Sequence, residues 1–314
     1  MHEQSSFFIH WVSRSFIVGV ITLFFTMLPS PVFGQQVIKD QLVISPAKLE
    51  VSLDPGQETT VHVRIASGFS TPVTIRVYTE DLGQSSDPFV GAELSGDSES
   101  LTSLRGYLYP LITNFTVKPG EVVALPVTIR LPADAPAVGR FGAVIFSLFK
   151  DGETVAGAQT LVDTRVGASI FVRPSVGAVE KGLVTQFTPK DHTYIYVWKK
   201  PSFIVSFKNE GTVHLNPYGG TVVRNVFGLE KSRTEIAPWF VLPGATRSLI
   251  VDSSTRWLFG YYKVELNLAP GYGTVEPQGF VTIWVFSKEW IITLGVLVLG
   301  VVSFFLIRSR AKRI

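Results

Sequence analysis

The sequence predicts an all-β protein: two antiparallel β-sandwiches in series, closed by a single C-terminal transmembrane helix. Three observations point there. Val, Ile, Thr and Phe dominate the middle of the chain, between frequent breaks supplied by 27 glycines and 19 prolines in 314 residues. That composition favours short strands over helices. A Pro-Gly phrase recurs three times, as "VSLDPGQETTVHVRI" at 51–65, "FTVKPGEVVALPVTI" at 115–129 and "WFVLPGATRSLIV" at 239–251. Finally, residues 290–307, "WIITLGVLVLGVVSFFLI", carry no charge.

Each Pro-Gly pair reads as a tight turn, because Pro presets φ and Gly supplies a positive φ. In the strand that follows the first, Val61, Val63 and Ile65 alternate with His62 and Arg64, so one face is buried. Leu125, Val127 and Ile129 repeat the pattern around Pro126, Thr128 and Arg130. Pro126 cannot donate to a ladder and belongs on an edge or at a strand start. The spacings between pairs, 64 and then 124 residues, are too unequal for a solenoid.

Further strands are expected over 42–45, 48–53, 73–79, 112–117, 141–149, 160–172, 203–208, 221–227, 261–268 and 280–286. Residues 140–174 read as a hairpin of two long strands across "DGETVAG". A boundary falls within 174–190, giving immunoglobulin-like sandwich domains at 35–176 and 177–287 of ordinary size.

The two ends read as addresses. Arg14, the apolar run 16–28 and the small residues Val32 and Gly34 form a signal peptide over 1–34, cut near Gly34–Gln35. Residues 288–307 form the transmembrane helix, since the charge-free run covers about 27 Å at ~1.5 Å per residue. Trp290 takes an interfacial position, and the basic tail 308–314 belongs in the cytoplasm. The ectodomain is therefore outside, at the cell membrane. Only three residues separate "FVTIWVF" from Trp290, so the second domain sits close to the bilayer.

The formal net charge of +3 resides at the ends: residues 35–287 hold 22 basic and 23 acidic side chains. Without a concentrated basic face, nucleic acid is not an expected partner. With no cysteine, disulfides, thiolate metal sites and a cysteine nucleophile are excluded.

No catalytic constellation emerges either. Of five histidines, His2 and His10 fall in the signal region, while His62, His192 and His214 read as isolated surface or loop residues. There is no HExxH and no GxSxG. The expectation is a non-enzyme without cofactor or metal. Two stretches are candidates for partner binding. In the irregular segment 80–103, Asp81, Asp87, Glu93, Asp97 and Glu99 could gather around calcium, although the spacing fits no EF-hand and a solvated loop is the plainer reading. In "YIYVWKK" at 194–200, Tyr194, Tyr196 and Trp198 share one strand face, with Ile195 and Val197 on the other. Exposed, such a row could stack on sugars or receive a strand; buried, it is core, the plainer reading. The stretch 254–262, "STRWLFGYY", poses the same alternative.

"LEVSLDPGQETTVHVRI", "STPVTIRVY" and "FTVKPGEVVALPVTIRLPADAPAVGRFGAVIFSLF" together resemble the first domain of the WxL-interacting proteins of Gram-positive surfaces. The resemblance covers roughly 41–172 and the overall layout. It implies a membrane-anchored extracellular binding or scaffolding protein, with peptidoglycan or another surface protein as partner. The second domain departs from that pattern, and the resemblance assigns no individual binding residue. The alternative function is a chaperone-like or structural component of a secretion or pilus system, accepting a partner strand at an open sheet edge.

Overall fold

The structure, a computed structural model, describes residues 41–96, 100–149, 164–253 and 258–311. The expected signal peptide 1–34, the connection 150–163, Asp97, Glu99 and residues 254–257 lie outside the described residues.

Up to residue 286 the described residues form β-strands, with one short 3₁₀ turn at Arg105–Tyr107. In the first sandwich, one sheet has the order β1 (Leu42–Ser45), β3 (Glu58–Ser67), β8 (Val122–Arg130) and β6 (Leu108–Pro110). The facing sheet runs β2 (Lys48–Ser52), β10 (Arg165–Arg173), β9 (Arg140–Phe149), β4 (Val73–Gly83) and β5 (Glu93–Gly96). The strand β7 (Asn114–Val117) also pairs with β4. Val63, Ile65, Leu125 and Ile129 of the first sheet meet Ile75, Val77, Phe146 and Ile170 of the second. The period-2 pattern thus sends the anticipated residues inward.

The second sandwich stacks β11 (Gly182–Pro189), β13 (Ser202–Asn209) and β16 (Thr246–Asp252) on a five-stranded sheet. The order of that sheet is β12 (Ile195–Val197), β18 (Glu276–Phe286), β17 (Phe259–Ala269), β14 (Tyr218–Asn225) and β15 (Glu230–Ile236). Pairing is not wholly antiparallel: β2 runs parallel to β10, and β12 parallel to β18.

All three Pro-Gly pairs form the expected turn. Gln57 N–H donates to Asp54 O (3.1 Å), Glu121 N–H to Lys118 O (3.0 Å) and Ala245 N–H to Leu242 O (3.1 Å). Gly56, Gly120 and Gly244 hold φ of 82°, 72° and 75°, where another residue would be strained. Each turn lies where the chain crosses from one sheet to its opposite, from β2 to β3, β7 to β8, and β15 to β16.

Several expectations need correction. Pro126 lies inside β8, which is flanked by both β3 and β6. It is tolerated because β6 ends at Pro110, and the Pro126 carbonyl accepts from Leu111 N–H (3.0 Å) on that side. The crossing between sandwiches occupies only 174–181, because β11 begins at Gly182. The strands β5, β6, β11 and β15 were not anticipated. Two are very short, and β15 is an edge strand with Glu230, Lys231 and Glu235 exposed, which masks its strand pattern and blunts the edge.

The sandwiches share a core. On β9, Val144 and Phe146 point into the first sandwich. Phe141, Ala143 and Ile145 point the other way and join Phe171, Phe207, Leu215, Trp239 and Val241. This second cluster runs on into the interior of the second sandwich through Val205, Val251 and Leu266. Phe171 is its hinge-pin, edge-on to Phe141 (5.1 Å) and to Phe240 (5.0 Å). The described residues accordingly belong to a single compact unit.

After β18 only Ser287 intervenes before α1 (Lys288–Ala311). Ser287 N–H donates to Leu258 O (3.0 Å) and its carbonyl accepts from Ile291 N–H (3.3 Å), fixing the strand-to-helix junction. Described side chains such as Ile292, Leu294, Leu297, Leu299 and Phe305 are exposed. Among the described residues no helix is long and apolar enough to cross a membrane; the side chains of 304 and 306–311 lie outside that description.

A shared core should couple the sandwiches thermodynamically. Phe171→Ala is expected to cost about 3–5 kcal/mol and to shift one cooperative transition of the detergent-solubilised full chain, measured by urea titration and calorimetry. Two well-separated transitions in the parent chain would contradict the coupling.

Candidate functional site

The described acidic residues of the segment divide between buried and exposed positions. Asp81 is buried at 1% exposure, and its Oδ1 accepts from the N–H groups of Leu104 and Arg105, each at 2.9 Å. Ser103 Oγ donates to the same carboxylate at 2.8–2.9 Å. The side chain therefore fastens the turn at 103–107 onto β4, using donors at the start of a short 3₁₀ turn that would otherwise lack partners. Asp87 is exposed and accepts from Phe89 N–H (2.9 Å) in a local turn, and Glu93 is exposed on β5. Among the described residues no group of three or more His, Asp or Glu side chains could hold a metal ion.

The middle of that segment has a different task. Ser248 N–H on β16 donates to Pro88 O at 2.7 Å. A Cβ on Gly91 would come within 2.7 Å of the Arg247 guanidinium. Leu82 and Ala92 join the shared core. Residues 82–92 are thus a clasp from the first sandwich that covers the edge of β16.

The aromatic row at 194–198 divides. Tyr196 is buried in the second sandwich at 5% exposure, whereas Tyr194 (50%) and Trp198 (66%) are exposed. The strand is only three residues long, and Trp198 turns away at φ 64°, so the three rings do not form one face. Ile195 and Val197 are also exposed. Trp284 N–H donates to Tyr194 O (2.8 Å) and Trp198 N–H to Phe286 O (3.1 Å). Alternation along the strand then turns the backbone groups of Ile195 and Val197 to the open edge of the sheet.

His214 was expected at the surface and is instead buried, at 2% exposure, in the joint between the sandwiches. Its ring lies edge-on to Phe171 (5.1 Å) and Phe141 (5.7 Å), and Nε2 is 3.5 Å from Glu50 Oε2. Its Nδ1 has no hydrogen-bond partner among the described residues. Burial holds the His214 pKa below its ordinary value, and the attraction of Glu50 does not offset it. Burial would raise the Glu50 carboxyl, but Lys48 and His214 together hold it below its ordinary value. No sequence signal marked His214; its apolar neighbours Val213 and Leu215, both buried, are the only hint.

An open cleft of ≈ 670 Å³ lies beside β14 and β15, with Tyr218, Arg233, Glu235 and Asn267 on its walls. Arg233 is already engaged by Glu230 at 2.9 and 3.0 Å. Its polar groups do not form a nucleophile–base pair.

No family model and no curated protein matches the chain. Among solved structures, it is similar to the class 5 fimbriae chaperone CfaA, with 14% identity over 78% of this chain and 99% of that one and a TM-score of 0.39. The Pseudomonas aeruginosa CupB2 chaperone gives 14% identity over 75% and 99%, with a TM-score of 0.35. The E. coli chaperone DraB gives 10% over 78% and 96%, with a TM-score of 0.37.

Two outcomes are expected. Asp81→Ala should destabilise by roughly 3 kcal/mol, since charge-assisted bonds are lost and buried donors stranded; hydrogen exchange should quicken at 103–105. For His214, a folded-state pKa below the unfolded value means that stability is complete above the unfolded pKa of about 6.5 and falls as pH drops below it. The slope is at most about 1.4 kcal/mol per pH unit, and His214→Phe should flatten it in denaturation measured at pH 7 and pH 5.

Proposed function

We propose that this chain is a membrane-anchored, non-enzymatic binding or scaffolding protein of the cell exterior, holding cell-wall polymer or a partner surface protein. The observation that carries the reading is mechanical. Two sandwiches are fused through one core, and the last strand hands over to an apolar helix across the single residue Ser287. Such a body transmits position without a hinge. The charge-free run 290–307 and the likeness in sequence to the WxL-interacting proteins support the anchor and the partner class. In-cell crosslinking of the full chain tests it: capture of peptidoglycan fragments or of a discrete surface protein is expected. A membrane-located chain that retains neither would overturn it.

One observation favours a second reading, a chaperone-like component of a secretion or pilus system. The open edge of β12 offers the backbone groups of Ile195 and Val197 to an incoming strand, next to the exposed Tyr194 and Trp198. Lys199, Lys200 and Pro201 limit the pairing to a short segment. On this reading Val197→Pro removes an outward donor and releases the partner, while the melting temperature stays close to that of the parent. Unchanged partner retention would count against strand addition there.

A further inference from the structure

The five-stranded sheet of the second sandwich ends in an apolar surface that its own core does not need. The outer face is ordered by register. Val197, Phe286 and Phe259 form the row nearest the helix, and Ile195, Trp284 and Tyr261 the next. Exposure in these rows reaches 59% at Ile195, 53% at Phe259 and 46% at Trp284. The rings form a connected set, Tyr261–Trp284 at 5.5 Å, Trp284–Phe286 at 6.2 Å and Phe259–Phe286 at 5.2 Å. Trp290, in the first turn of α1, extends the set from Phe259 at 6.4 Å. Charge begins only in the third row, where Lys263 pairs with Arg224 across the ladder.

A second feature lies at the same end of the sheet. Asn225 pairs with Tyr262, so the turn from β14 to β15 projects towards the level of Tyr261 and Phe259. A hairpin tip is ordinarily polar, yet this one presents Val226 at 65%, Phe227 at 82% and Leu229 at 59% exposure. Cations sit nearby: Lys199 and Lys200 follow β12, Lys288 opens α1, and all three are exposed.

We infer that this end of the second sandwich, the hairpin tip 226–229 and the two apolar rows on the outer sheet face, is seated in the headgroup layer of a lipid bilayer. The inference rests on the proposed anchoring by α1. Two rows of a strand span about 7 Å, and the polar layer on each side of a bilayer is about 5–8 Å thick. The apolar rows therefore end where water begins. Trp and Tyr are the side chains that prefer this layer, and exposed lysines at its margin suit anionic headgroups. Covalent continuity does the rest, because with only Ser287 between β18 and α1 a helix in the bilayer brings this end of the sheet to its surface. The sandwich would then be held in one orientation, not left to swivel on its anchor.

The absence of cysteine makes the test clean. Single variants Tyr261→Cys, Phe227→Cys, Val298→Cys and Leu111→Cys of the full chain are labelled with an environment-sensitive nitrobenzoxadiazole dye. Each is reconstituted in phosphatidylcholine–phosphatidylglycerol vesicles containing lipid spin-labelled near the headgroup or, for Val298→Cys at the middle of the helix, near the end of the acyl chain. Blue-shifted emission and lipid quenching at 261 and 227 are expected, with Leu111, 72% exposed in the first sandwich, remaining water-like. Quenching at 298 with water-like emission at 261 and 227 would overturn the inference and leave the anchor standing. Blue-shifted emission at 261 and 227 without lipid quenching would also overturn it, since a protein, a second copy included, would then cover the face. Loss of quenching at 298 itself would remove the anchor and the inference with it.

Discussion

The packing of Phe171 and Phe141 against His214 and Phe240 is the contact on which the rest of the architecture depends. It requires β9 and β10 to be buried on both faces, one side feeding the first sandwich and the other the joint. The 82–92 segment lies alongside β16, tied to it by Ser248 N–H to Pro88 O and by the burial of Leu82. Hydrogen bonds at the crossing reinforce the same geometry: Gly139 N–H donates to Thr212 O (2.8 Å) and Thr212 N–H to Val179 O (2.9 Å). With apolar packing, a backbone clasp and a short crossing in series, relative motion of the sandwiches would break contacts of several kinds at once. That distinguishes the pair from domains joined by a small polar interface, for which motion is the default.

What could be read from the sequence was local. Pro-Gly pairs act within four residues, so all three turns were legible, as were the alternating strands β3 and β8. The role of the turns as crossings between sheets was not, because it depends on which strands pair. "RFGAVIF" did carry a signal in its lack of alternation, the mark of a strand buried on both sides; read simply as half of a hairpin, it hid the joint. Asp81 was illegible for a plainer reason. Its donors are 22 to 24 residues away, and an acidic residue in a polar stretch looks the same whether solvated or fastened inside. His214 failed likewise, since the rings that bury it belong to the other sandwich.

The candidate contact residues therefore separate by role. Asp81 and Tyr196 are structural, one by hydrogen bonding and the other by packing. Asp87, Glu93, Tyr194 and Trp198 remain at the surface, on different elements. What the structure adds is a graded surface, apolar beside α1 and charged two rows further on, that no single stretch of sequence displays. It assembles from β12, β17, β18 and a hairpin tip, elements spread from residue 195 to 286. On the proposed function, anchoring would use the end of the second sandwich beside α1 and binding would use surfaces further out.

Rigidity of the joint is the central claim, and a distance measurement tests it most directly. Spin labels at Tyr109→Cys in the first sandwich and Ile250→Cys in the second, both on exposed side chains, report the separation by pulsed electron–electron resonance. A single narrow distance distribution in the detergent-solubilised full chain is the predicted result. A broad or two-peaked distribution would show the sandwiches moving independently and would contradict the account.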